Sequence, residues 1–373
     1  MKKIRWKRLT LLLAAVVTAG GSAFLVTGRT AGMVRAVLPN FPQLPGAQRR
    51  LTMGQQSGPL YFETTTPHAL DVIYGDLSGA IPTTGIGELF LPAGASSEAK
   101  VPALILIPGS GGITPGRERR YGAEFSAEGY AVMVIDYYRP RGLGTGSPYL
   151  LNVLGVSEFD AVADAYAALK LLSSHPGIDG DRVAVIGFSY GGMAVRVSMD
   201  RRVRDALVPG HKGFAAYVDF YGPCFQRRIS DQLTGAPYLS FRGTRDLSND
   251  LPVCKERERS LRKLGIDVEA HVFEGAGHGW DTDRPARLEP DMPYVVGCEV
   301  SYDADGHSLL DGEYMVKVAR GSSREEHIAE RLWRGGKMSA CVHRGYWMGQ
   351  HQPARVLSDQ LLRRFLSRTL LQK

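Results

Sequence analysis

A serine set between glycines, Gly187-Phe188-Ser189-Tyr190-Gly191, follows the apolar run RVAVIGF and opens a stretch of helical character. GxSxG in that position is a sharp strand-to-helix turn that lifts a hydroxyl to the edge of a sheet. The flanking glycines give the turn its clearance, and the helix N-terminus favours negative charge beside the oxygen. A serine hydroxyl attacks a carbonyl only with a base to take its proton and an acid to orient that base. Asp246, in FRGTRD after the apolar run APYLSFRG, and His278, in EGAGHGWD after DVEAHVF, stand at the right places and in the right order. His271 lies inside the apolar alternation of its own run and reads as structural, while Asp250 and Asp281 compete with Asp246 for the acid.

The tetrahedral intermediate of acyl transfer also needs donors for its oxyanion. The backbone N–H of Tyr190 is one. The second is expected in the glycine-rich turn after VPALILI, at Ser110 with Gly111 as its neighbour; as a phosphate cradle this turn is poor, because GxxxxGK[ST] is missing. Arg139 and Arg141 in DYYRPRG follow another strand, where a guanidinium either grips a substrate carboxylate or is a solvated loop charge. Tyr137, Tyr138, Tyr149 and Trp280 read equally as pocket or packing and are not counted in the site.

The elements that must position these groups alternate along the chain. Short apolar runs (GELFL, VPALILI, AVMVIDY, RVAVIGF, GFAAYVDFY, APYLSFRG, DVEAHVF) are separated by helical stretches near 117–128, 158–173, 191–200 and 253–264. Runs too short for helices and apolar throughout are strands covered on both faces, so the fold class is α/β, a doubly wound and mainly parallel sheet. Residues 281–352 break the rhythm as an insertion before the last helix. They carry a hairpin, CEVSYDADGHSLLDG, turning at Asp305-Gly306, and a helix near 324–333. Such an insertion is either a lid or rim over the site or a passive excursion. Residues 355–371 read as a closing helix that packs Val356, Leu357, Leu361, Leu362, Phe365 and Leu370 on the sheet.

The first 28 residues are a different element. Lys2, Lys3, Arg5, Lys7 and Arg8 precede Leu9 to Gly28, 20 residues without a charge. Basic, then apolar, then small is a signal peptide, with Gly21-Ser22-Ala23 where cleavage would fall; left uncleaved, the run is just long enough for an N-terminal membrane anchor. Residues 29–70, with LPNFPQLPG, read as an extended linker, and 71–373 as the folded domain. The leader also explains the pI of about 9.2. Without it 40 basic residues face 38 acidic ones, a balance that excludes nucleic acid as a partner of the body. Cys224, Cys254, Cys298 and Cys341 are an even set in a chain read as exported, so disulfides are expected. Of three pairings, 224 with 254 and 298 with 341 is favoured, closing loops of 31 and 44 residues. No CxxC pair occurs, and a metal site is not expected.

IPGSGG, VIDYYRPRG, GFSYGGMA, DFYGPC, RGTRD, EGAGHGWD and CVHRG, in this order over roughly residues 84–373, give the chain its resemblance to the dienelactone hydrolase family of α/β-hydrolases. The resemblance implies the α/β-hydrolase fold, an ester or lactone of a small molecule as substrate, no cofactor, and Ser189, Asp246 and His278 at the family's nucleophile, acid and base positions. Two departures stand out: dienelactone hydrolases proper use cysteine where this chain has Ser189, and relatives commonly carry histidine where Pro108 stands. The expected activity is therefore that of an exported serine hydrolase. The competing readings are a peptidase working with the same triad and a non-catalytic, envelope-tethered binding protein that kept the fold.

Overall fold

The computed structural model describes residues 38, 40–144, 146–227, 230–314 and 323–371. The segment read as signal peptide or anchor lies outside them, and no helix among the described residues is long and apolar enough to cross a membrane. In chain order the strands are β1 (Gly58–Thr66), β2 (Ile81–Phe90), β3 (Val101–Ile107), β4 (Ala131–Asp136), β5 (Ile178–Phe188), β6 (Ala216–Phe220), β7 (Tyr238–Gly243), β8 (Val268–Phe273), β9 (Arg287–Val295), β10 (Val300–Tyr302), β11 (Ser308–Leu310), β12 (Glu313–Tyr314) and β13 (Val342–Met348). The α-helices are α1 (Leu70–Tyr74), α2 (Arg120–Ala127), α3 (Tyr149–Gly155), α4 (Glu158–Ser173), α5 (Tyr190–Ser198), α6 (Arg201–Leu207), α7 (Leu251–Lys263), α8 (Arg324–Lys337) and α9 (Gln352–Leu366).

Eight strands make one sheet in the order β1-β2-β4-β3-β5-β6-β7-β8. The first two are antiparallel additions, and β4 through β8 run parallel with β3 between them. The expected α/β sheet is thus present, and its core follows from the strand period of two. Ile105, Ile107, Met133, Ile135 and Val185 point to one face, where α4 and α5 cover them. Leu104, Leu106, Val132, Val134 and Ile186 point to the other, against Tyr121 and Phe125 of α2 and Leu362 and Phe365 of α9. Helix α4 is fixed at its start by a capping box between Ser157 and Asp160.

Three expectations are corrected. The linker does not extend to residue 70: Gly58–Thr66 is a full strand paired with β2, and Leu51 upstream of it is already buried. Its alternation is disguised because Thr64 and Thr66 take inward positions alongside Leu60 and Phe62. Val356 and Leu357 of α9 are nearly half exposed, because they lie off the buried stripe 354-358-361-362-365. The insertion holds more strand than expected: β9 and β13 pair as an antiparallel ribbon, beside the small sheet β10-β11-β12. The expected hairpin turns where foreseen, with Gly306 at φ 91° and the Asp303 carboxylate accepting from the backbone of Asp305 and His307. Both disulfides have the favoured pairing; Cys224–Cys254 ties the segment after β6 to α7, and Cys298–Cys341 closes the insertion.

Candidate active site

Ser189 caps α5 directly after β5, with φ 55° and ψ −115°, a conformation that a non-glycine residue holds only under constraint from its surroundings. The glycines are required by packing. A Cβ on Gly187 would strike the Gly191 carbonyl, one on Gly191 the Ile107 carbonyl, and one on Gly192 the Asp219 carboxylate. Asp219, at the end of the neighbouring β6, is held in turn by Arg242 and Arg196. Burial pushes its carboxyl up, but those two cations outweigh it and leave Asp219 at about 2. The elbow therefore leans on a fixed, ionised buttress.

The three residues read as nucleophile, base and acid meet at one rim. His278 Nε2 lies 2.7 Å from Ser189 Oγ, and His278 Nδ1 lies 2.7 Å from Asp246 Oδ2. Asp246 and His278 are buried and Ser189 is partly open. Four donors surround the Asp246 carboxylate: His278 Nδ1 and Asn249 Nδ2 (2.8 Å) on Oδ2, and the Ser248 backbone N–H (3.0 Å) and hydroxyl (2.6 Å) on Oδ1. An acceptor-only carboxylate at Nδ1 fixes the imidazole proton there and leaves Nε2 free to accept from the Ser189 hydroxyl. The competing acids are committed elsewhere. Asp250 caps α7, and Asp281 accepts from the Tyr221 hydroxyl at 2.5 Å. His271 pairs with Glu269 on β8, away from Ser189.

The insertion is part of this geometry. The His278 N–H donates to the Trp347 carbonyl (2.7 Å) and Gly349 N–H donates to the His278 carbonyl (2.8 Å), so β13 grips the histidine loop by its backbone. The rings of Tyr346 and Tyr221 stand 5.6 and 4.7 Å from the imidazole. On the other side the Tyr190 hydroxyl donates to Glu158 Oε2 at 2.7 Å, and Arg331 of α8 donates to both.

Tyr190 N–H is the first amide of α5, and no acceptor takes it among the described residues. The loop after β3 is oriented from behind. Tyr137 Oη is 3.0 Å from the Pro108 carbonyl and 3.2 Å from that of Gly109, and Asn152 Nδ2 donates to the Ser110 carbonyl at 2.9 Å. In a trans peptide the N–H points opposite its C=O, so the Ser110 and Gly111 amides face away from Tyr137 and Asn152. Gly109 lies on the Ser189 side of this loop, where a Cβ would sit 3.2 Å from the serine Cβ.

Arg141 is corrected as a substrate-binding residue. Its guanidinium is fully buried and spent on Asp164 (2.8 and 3.1 Å), Thr66 Oγ1 and the carbonyls of Tyr137 and Thr65. Arg139 turns outward, mostly exposed, with Asp136 3.9 Å away. Tyr137, Tyr138 and Trp280 are core residues; Tyr149 is half exposed at the start of α3. Sequence reasoning missed Ser248, Asn249, Asn152 and the backbone of β13. The polar run LSND beside Asp246 was the only signal for the first two.

The family model for the dienelactone hydrolase family matches residues 89–307. The chain belongs to this family. A curated relative, the "Probable 2-oxo-3-(5-oxofuran-2-ylidene)propanoate lactonase" of Bradyrhizobium sp, is 22% identical over 208 residues, covering 54% of this chain and 82% of the relative. Among solved structures, a dienelactone hydrolase-like promiscuous phosphotriesterase from metagenomic libraries is 19% identical, with 60% of this chain and 84% of that one covered at a TM-score of 0.43. Esterase 2 of Thermogutta terrifontis is likewise 19% identical, covering 66% and 89% at 0.43. As a dienelactone hydrolase family member the chain is a hydrolase. The family match ends at His307, so α8, β13 and the grip on His278 lie beyond it.

Proposed function

We propose that this family member is an exported serine hydrolase that cleaves carboxylic esters or lactones of small molecules through an acyl-enzyme. The reading is carried by the 2.7 Å approach of His278 Nε2 to Ser189 Oγ with Asp246 behind the ring. Ser189 Oγ attacks the carbonyl carbon as its proton passes to His278 Nε2, and Asp246 stabilises the imidazolium that results. The oxyanion lies between the N–H groups of Tyr190 and Ser110; one such donor is worth about 3–4 kcal/mol of the barrier. Collapse returns the proton from Nε2 to the leaving alkoxide. In a lactone that alkoxide stays attached to the acyl group. Water, deprotonated by the same imidazole, then releases the acid and regenerates Ser189.

The lactonase name of the curated relative supports the ester or lactone class. Two disulfides suit an oxidising compartment and support export. The test is labelling of the full chain with a fluorophosphonate probe, alongside turnover of p-nitrophenyl acetate and short peptide anilides. Wild type is modified and hydrolyses the ester, and Ser189→Ala does neither. Absence of labelling in folded protein refutes the serine mechanism, and faster turnover of the anilides than of the ester makes it a peptidase.

A further inference from the structure

Behind the imidazole of His278 stands a hydroxyl that has no part in the mechanism proposed for Ser189. Ser248 lies two residues past Asp246 and is turned inward and buried, while Leu247 between them is nearly half exposed. Its place is set by a tight turn, in which its own N–H donates to Asp246 Oδ1 at 3.0 Å and the Asn249 N–H donates to the Asp246 carbonyl at 3.1 Å. The turn brings Ser248 Oγ to 2.6 Å from Asp246 Oδ1, 3.1 Å from His278 Nδ1 and 3.2 Å from Asn249 Nδ2.

The protons available settle what that oxygen does. A serine hydroxyl has one proton to give and two lone pairs to receive. Of its three neighbours, the amide nitrogen of Asn249 cannot accept, and neither can Nδ1 while it carries the ring proton. The carboxylate therefore takes the hydroxyl proton, at the shortest of the three distances. The lone pairs of Oγ are then left facing two donors, Asn249 Nδ2 and the Nδ1–H of His278. The ring proton thus lies between two acceptors, Asp246 Oδ2 at 2.7 Å and Ser248 Oγ at 3.1 Å. One acceptor leaves the ring free to tilt around that bond. Two acceptors on the same proton, with the rings of Tyr221 and Tyr346 packed against the imidazole, fix the direction in which Nε2 points at Ser189.

We propose, resting on the reading of Ser189 as nucleophile and His278 as base, that Ser248 is a second positioning residue for His278. Its oxygen shares the Nδ1 proton with Asp246 and holds the imidazole in the tautomer whose Nε2 accepts. While the carboxylate is present Ser248 is the more distant of the two partners, and its loss costs little. Once the carboxylate is removed, Ser248 Oγ is the one acceptor left at Nδ1 among the described residues, and water in the vacated space takes the hydroxyl proton. Its loss then costs more. A serine that served only to hold the Asp246 carboxylate would behave in the opposite way, with no effect after the carboxylate had gone.

The test is a double-mutant cycle in the full chain: wild type, Ser248→Ala, Asp246→Ala and the double variant, each checked for fold by far-ultraviolet circular dichroism and assayed on p-nitrophenyl acetate. In a serine protease, losing the acid alone leaves roughly 10²-fold more activity than losing the nucleophile or the base, so a second loss remains measurable. Ser248→Ala should lower kcat about threefold in wild type and about tenfold or more beside Asp246→Ala, with KM unchanged in both. Nitrogen-15 spectra of histidine-labelled protein, with the His278 signals assigned by their absence in His278→Gln, read the tautomer directly. Nδ1 should keep the proton in Asp246→Ala, and Nε2 should hold it in the double variant. Equal factors in the two backgrounds, no effect beside Asp246→Ala, or a tautomer unchanged by the second substitution overturns the proposal. The serine mechanism falls separately: wild type that no fluorophosphonate labels refutes it, while the tautomers measured in the same proteins still decide the role of Ser248.

Discussion

Replacing Asp246 by asparagine preserves volume and tests whether this residue sets the imidazole tautomer. The surroundings decide which way the new amide turns. On the Oδ1 side the Ser248 backbone N–H, at 3.0 Å, can only donate, so the amide oxygen belongs there. The amide nitrogen then faces His278 Nδ1 in place of Oδ2, now 2.7 Å from the ring. A donor at that position forces Nδ1 to accept and moves the ring proton to Nε2, which can no longer take the proton of Ser189. Asn249 Nδ2 also donates on the Oδ2 side, at 2.8 Å, but it belongs to a side chain that can turn aside, whereas the Ser248 N–H is fixed in the backbone. The same exchange in serine proteases costs about 10⁴ in kcat, roughly 5 kcal/mol of barrier, with the geometry intact. The expected outcome here is a kcat for p-nitrophenyl acetate about 10⁴-fold below wild type, KM little changed, and fluorophosphonate labelling slowed in parallel. The urea midpoint should stay close to that of wild type. A kcat within about tenfold of wild type in a folded variant would refute the assignment of Asp246 and return Asp281 to consideration.

Three further outcomes follow from the same geometry. Tyr137→Phe removes the hydroxyl that meets the Pro108 and Gly109 carbonyls and frees the loop that aims the Ser110 amide; kcat should fall about tenfold with KM nearly constant, and an unchanged kcat argues against that loop as an oxyanion donor. Arg141→Met strands the Asp164 carboxylate in the core, so chemical denaturation should show a loss of about 3–5 kcal/mol, while cold assays of the folded fraction find neutral and carboxylate-bearing esters affected alike; selective loss of the acidic ester would restore Arg141 to the substrate. Asp219, at about 2 in the fold against 3.8 for the free side chain, takes up its proton first in the unfolded chain. Its contribution of about 2 kcal/mol is complete above that free value and is lost as pH falls through 2. The stability gap between wild type and Asp219→Asn should close by that amount between pH 5 and 2 in urea titrations, and a constant gap would contradict the ion pairing.

The sequence betrays the meeting of Ser189, Asp246 and His278 because each follows an apolar run too short to be a helix, and a parallel sheet delivers strand ends to one rim whatever their separation. Asp246 was separable from Asp250 and Asp281 only by its place immediately after β7. Arg141 was not legible, since a guanidinium in a Pro-Gly loop has the same sequence signature whether it is solvated or buried on a carboxylate. Its partner, Asp164, lies within α4, where an acid in an otherwise apolar helix was the only trace. The strand β1 was hidden by threonines that turn inward to bond, Thr64 to Asp164 and Thr66 to Arg141. The cavity lined by His68, His307 and His327 was equally invisible, because its histidines come from three elements with no shared spacing.

The insertion shows why fold and site cannot be read as separate layers. The curve of the His278 loop is set by backbone hydrogen bonds to Trp347 and Gly349, about 70 residues downstream. β13, which supplies Trp347, is itself held as a ribbon by β9 and anchored at its start by the Cys298–Cys341 bond. On the opposite side α8 reaches Tyr190 through Arg331. His278 and Tyr190 are thus both tied to chain that the family model does not match. A passive excursion would make neither contact. Under the proposed mechanism, an insertion that holds the backbone of His278 from one side and the Tyr190 hydroxyl from the other is a structural half of the site, and substitutions within it should act on kcat as readily as on substrate preference.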